Sequence, residues 1–88
     1  MKPLNYAILK YFTRVEEGTV EEVMNDLKKE YSTHRAFNKN SISHALMTAE
    51  ANGLIEEKSF ELDKNGELLI FYRANEESKK TINSFIKD

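Results

Sequence analysis

Between residues 41 and 72 the apolar spacing changes abruptly from helical to alternating, and that change leaves few folds open. Ile42, Ala45, Leu46 and Ala49 recur at helical spacing. Asn52-Gly53 follows as a helix stop, and Leu54 supplies the apolar contact such a cap takes. From Ile55 the period falls to two. Asn65-Gly66 is the strongest short-range hairpin signal in the chain and predicts a type I′ turn within a hairpin over residues 55–74. In that register Leu62 faces Leu69 and Phe60 faces Phe71, which puts Phe60 and Phe71 in the core. The other face would pair Glu61 with Ile70 and Ser59 with Tyr72. The second strand is apolar on both faces, so it needs cover from a short strand near Gly18-Thr19 or from another subunit.

The preceding residues read as two helices and a loop. Leu4, Ala7, Ile8, Tyr11, Phe12 and Val15 form one stripe of a helix over residues 3–15, with Pro3 in the first turn, where its missing N–H costs nothing. Gly18 is expected to end it in a left-handed conformation. Thr19-Val20-Glu21-Glu22 is a capping box for a helix over residues 20–31, with Val20, Val23, Met24, Leu27 and Tyr31 inside. Residues 32–39 break the period and read as a loop anchored by Phe37. Asn40 or Ser41 then caps a helix over residues 41–52. Asn75 caps a last helix over residues 76–87, with Ile82, Phe85 and Ile86 as its apolar positions.

An 88-residue chain has room for one domain, and its core is modest enough that a partner chain would add to it. With 40% apolar and 32% charged residues it has the balance of a globular domain, not a disordered one. There is no cysteine, which excludes disulfides, thiolate metal sites and thiol nucleophiles. His34 and His44 are not spaced as a zinc pair, and no acid is placed to orient His44 toward Ser41 as a triad requires. No cofactor, metal site or catalytic activity is expected. No apolar run is long enough to span a membrane, and Met1-Lys2-Pro3-Leu4 does not open a signal peptide, so a cytoplasmic, bacterial-type protein is expected.

The segment from Ser41 to Glu56 resembles the recognition-helix region of PadR-type and MarR-type regulators. Ala49-Glu50-Ala51-Asn52-Gly53-Leu54-Ile55 is similar to their Leu-Glu-x-x-Gly-Leu-Ile pattern, with Ala49 in place of Leu. Phe71-Tyr72-Arg73-Ala74-Asn75-Glu76-Glu77-Ser78-Lys79-Lys80 resembles the stretch that leads into their last helix, with Ala74, Asn75 and Ser78 replacing Leu, Thr and Gly. The resemblance implies an α+β winged helix-turn-helix: three helices, a two-stranded wing hairpin and a C-terminal helix. It also implies a DNA-binding transcriptional regulator that places the third helix in the major groove and the wing near the backbone.

On that reading the DNA-contacting residues are Arg35, Lys39, Asn40, Ser41, Ser43, His44, Thr48, Lys58, Lys64 and Asn65. The cations would meet phosphates, and the hydroxyls and His44 would meet phosphates or base edges. A homodimer through Ile82, Phe85 and Ile86, with help from the first helix, would engage two half-sites of double-stranded DNA. The charge pulls the other way. The net charge is −2, and the exposed face of the third helix beyond Lys39 carries no Arg or Lys. The alternative is a winged helix that serves as a protein-interaction or accessory regulatory module without DNA binding. On that alternative Met47 is an interface residue or a partly buried filler, and Arg35 and Lys39 are solvated loop charges.

Overall fold

The computed structural model describes residues 2–87. Its elements run α1 (Leu4–Tyr11), α2 (Val20–Tyr31), α3 (Lys39–Ala51), β1 (Glu56–Leu62), β2 (Leu68–Arg73) and α4 (Glu76–Phe85). Four helices with an antiparallel hairpin between the third and the fourth is the expected α+β order, and it is compatible with a small winged-helix-like fold.

One apolar cluster holds the helices together. Ile8 and Phe12 from α1 and its end, Val23 and Leu27 from α2, Ile42 and Leu46 from α3, and Ile82 and Ile86 from the C-terminal segment are all buried in it. Tyr11 meets Phe12 edge-on at 5.1 Å between ring centroids. Lys10 is buried as well, and its ammonium donates to Asn83 Oδ1 at 2.7 Å, tying α1 to α4. Phe37 packs partly buried against the cluster, as the loop reading requires.

The helix ends follow local chemistry, with four differences from expectation. The capping box at Thr19 forms in both directions: Glu22 N–H donates to Thr19 Oγ1 at 3.2 Å, and Thr19 N–H donates to Glu22 Oε1 at 3.0 Å. At the end of α3, Gly53 N–H donates to the Glu50 carbonyl and Leu54 N–H to the Ala49 carbonyl, with Gly53 at φ +78°. This is the Schellman closure predicted there. The cap of α3 is Asn38, not Asn40 or Ser41; its Oδ1 accepts from Ser41 N–H at 2.9 Å. Phe37 fixes the chain just before it, so Asn38 is the first capping side chain to reach the helix. Helix α1 ends at Tyr11 rather than at 15, because the Thr13 and Arg14 amides close three-residue turns onto Lys10 and Tyr11. Helix α4 likewise ends at Phe85 rather than at 87.

Gly18 is the fourth difference. Its backbone is not left-handed. A Cβ there would stand 2.7 Å from the Tyr11 ring, so glycine is needed for close approach. That approach lets Gly18 exchange two backbone hydrogen bonds with Tyr72, each 2.9 Å, and so cover the free edge of β2. The flanking strand expected near Gly18-Thr19 is this single bridge.

The hairpin turn departs from type I′. That turn requires positive φ at both central residues, and only Gly66 has it, at +78°. Asp63 decides the outcome. Its carboxylate accepts from the Asn65 and Glu67 amides at 2.8 and 2.9 Å, and its carbonyl accepts from Gly66 N–H at 2.9 Å. The result is a type I turn followed by a left-handed glycine, a three-residue loop. The register therefore places Leu62 opposite Leu68, Phe60 opposite Ile70, Glu61 opposite Leu69 and Ser59 opposite Phe71. A bulge at Lys58 then brings Glu57 opposite Tyr72.

Candidate functional site

The register sets Phe60, Leu62, Leu68, Ile70 and Tyr72 on one face of the hairpin. Only the inner end of that face reaches the core. Tyr72 is buried and Ile70 is packed partly buried, while Phe60, Leu62 and Leu68 are 69%, 68% and 57% exposed. Phe60 was expected in the core. The longer turn prevents this by pairing it with Ile70 near the outer end of the hairpin. Across from Leu68 and Ile70, α3 presents Met47, 52% exposed. Leu68, Ile70 and Tyr72 share a shallow hollow with Met47, Ser43, Leu46 and Lys39 of α3 and with Val20 and Glu21 of α2.

The ten residues expected to meet DNA do not form one surface. Lys39 and Ser43 line the hairpin-side hollow. Ser41, His44 and Thr48 point to the other side of α3, where they line a groove of about 300 Å³ with Asn5, Ile8 and Leu9 of α1. Asn40 is exposed in the first turn of α3. Lys58 is turned away from α3, beside Glu16, Arg73 and Glu76. Arg35 is exposed in the turn before α3, and Lys64 and Asn65 are exposed at the hairpin tip.

The charges of this surface are largely engaged by carboxylates. Lys39 stands at the N-terminal end of α3, where the helix dipole disfavours a cation. Glu21 from the first turn of α2 takes it up at 2.9 Å. The hydrogen bond that Lys39 donates to Glu21 holds the Lys39 pKa above the usual lysine value, and the charge of Glu21 and the nearby charges of Glu67 and Asp63 add to it. Lys58 is paired with Glu17, and Arg14 with Asp26 at 3.2 Å. Among the described residues, Arg35 and Lys64 have no ion pair. Burial pushes the Tyr72 phenol up, and Glu50 and Glu57 push it further.

The residues proposed for a dimer also separate. Ile82 and Ile86 are taken into the chain's own core, while Phe85 is 78% exposed. Beside it a hollow of about 200 Å³ is lined by Tyr6, Leu9 and Leu54. Among the described residues no three His, Asp or Glu side chains gather as metal ligands, and no helix is long and apolar enough to cross a membrane.

Sequence reasoning found the cations but not their partners, and it placed Phe60 in the core. The available signal was Asp63, whose carboxylate suits it to the first position of a type I turn. No known protein family and no curated protein matches this chain.

Proposed function

We propose that this chain is a protein-docking module of winged-helix-like architecture, an accessory regulatory domain that binds a partner through the face between α3 and the hairpin. One observation carries this reading. Met47, Phe60, Leu62 and Leu68 stand in solvent on that face, where a DNA reader would present cations. A photo-reactive residue at position 60 of the full chain tests it in cells. A discrete adduct with one protein is expected there and not from an exposed control position such as 80. Saturable, salt-sensitive binding to mixed duplexes with no adduct at position 60 would overturn it.

DNA binding in a transcriptional regulator is the second reading. It is favoured by Arg35 and Lys64, which flank α3 and the hairpin tip and have no ion pair among the described residues. On that reading Arg35→Ala and Lys64→Ala weaken binding to all sequences alike and flatten its salt dependence.

Self-association belongs to either reading. The contact would be centred on Phe85 and Tyr6, the exposed aromatics of α4 and α1. Light scattering after size exclusion is expected to give a dimer that Phe85→Asp converts to monomer; a monomeric parent chain at tens of micromolar would remove it.

A further inference from the structure

The hollow between α3 and the hairpin has an apolar floor and an acidic rim. Leu46, Ile70 and Tyr72 form the floor, and Met47 and Leu68 stand at its edges. Phe60 and Leu62 continue the apolar surface along the hairpin, because they pair directly with Ile70 and Leu68. Glu21 lines the hollow and already holds Lys39. Glu67 and Asp63 at the hairpin tip act on Lys39 through their charge, and Glu50 and Glu57 act in the same way on Tyr72. Glu21 is thus part of the lining, and the other four carboxylates lie near enough to act on residues that line it, against Lys39 and, at the hairpin tip, Lys64.

We infer that this face takes a cationic amphipathic segment of a partner protein, with its apolar side chains against Met47, Leu68 and Ile70 and its lysines or arginines against the surrounding carboxylates. The inference rests on the docking reading above. Charge complementarity selects the occupant. Nucleic-acid phosphates would meet like charge at Glu50, Glu57 and Glu67, which are in no ion pair among the described residues. A second copy in a two-fold contact would set one acidic rim against the same rim. An acidic segment meets the same repulsion. A cationic one gains from the carboxylates that no lysine holds, while its apolar side chains cover surface that is now exposed to water.

The test follows the backbone amides of the isotope-labelled full chain. It is titrated with a short amphipathic peptide of leucine and lysine, with the leucine–glutamate counterpart, and with a mixed-sequence duplex. The lysine peptide is expected to move the amides at Met47, Phe60, Leu62, Leu68 and Ile70 and to leave those around Phe85 in place. It should bind at least about tenfold more tightly than the glutamate peptide and weaken as salt rises. Glu67→Lys and Glu57→Lys, each checked for an unchanged fold by its spectrum, should erase most of that preference. Equal or tighter binding of the glutamate peptide at the same amides overturns the cationic chemistry and leaves the docking reading standing. Neither peptide moving those amides overturns both. Movement of those same amides caused by the duplex, or by diluting the free protein, overturns the inference in favour of DNA or of a second copy.

Discussion

The two strands of the hairpin pair with each other along their length, with one bulge at Lys58, yet they use their apolar side chains in opposite ways. Strand β2 is tied to the protein. Tyr72 is buried, Ile70 packs on the core, and Gly18 bonds to Tyr72 on the edge away from β1. Strand β1 has no buried residue along its whole length. Its Phe60 and Leu62 are spent on solvent. Folding cannot account for a seven-residue strand of this kind, because exposed apolar side chains add little to stability and raise the risk of association. Strand β2 therefore belongs to the fold, and β1 to whatever covers it.

The largest effects should fall on β2. Tyr72→Ala removes a buried ring and is expected to cost about 3–5 kcal/mol in chemical denaturation, as large-to-small core changes do. Phe60→Ala, opposite Ile70 on the same face, should cost less than about 0.5 kcal/mol. Equal losses would erase the distinction between the strands.

The bridge that anchors β2 is the next place to break it. Gly18→Ala would force a methyl to 2.7 Å from the Tyr11 ring. Either the ring moves or the Gly18–Tyr72 hydrogen bonds lengthen, at about 1–3 kcal/mol, the usual range for overpacking. Faster exchange of the Tyr72 amide in Gly18→Ala would show that the bridge gave way. Unchanged stability would mean that β2 does not depend on this edge.

What the residue order made legible divides along the same line. Features closed within a few residues were readable, namely the Thr19–Glu22 capping box, the Gly53 stop and the place of the hairpin. Features settled by distant contacts were not. Lys39 and Lys58 read as free cations because Glu21 and Glu17 lie far from them in the sequence. Asn38, Asn40 and Ser41 are all competent caps, and the packing of Phe37 chose among them. Alternation located an apolar face on the hairpin, but Asp63 set the register that put its outer end in water. The candidate site was hardest to read, because it consists of apolar side chains that the same pattern would assign to a core.

The turn itself offers a smaller effect that acts on β1 more than on β2. Asp63→Ala removes the acceptor for the Asn65 and Glu67 amides and should cost about 1 kcal/mol. Its sharper consequence concerns register. Without that carboxylate, Asn65-Gly66 is free to adopt the two-residue turn its composition favours. Cross-strand contacts should then shift, with Leu62 approaching Leu69 in nuclear Overhauser spectra. Retention of the Leu62–Leu68 pairing would show that the core contacts of Ile70 and Tyr72 fix the register without help from the turn.

The smallest effect concerns one hydroxyl on β2 and appears only at alkaline pH. Tyr72 has a raised pKa, through burial first and then Glu50 and Glu57; burial also leads the upward shifts of Tyr11 and Tyr31. A phenol whose folded pKa exceeds its unfolded value favours the folded state fully below the unfolded value of about 10, and that contribution is lost as pH rises through the folded pKa. Stability measured by urea denaturation should therefore hold steady up to about pH 10 and fall above it, where the unfolded chain sheds its phenolic protons first. Tyr72→Phe should scarcely change stability at neutral pH and should make the alkaline fall shallower, leaving the share of Tyr11 and Tyr31. An alkaline profile identical to the parent's would mean that β2 lets the Tyr72 hydroxyl ionise as freely as the unfolded chain does, and that this strand is less firmly seated than the contrast with β1 requires.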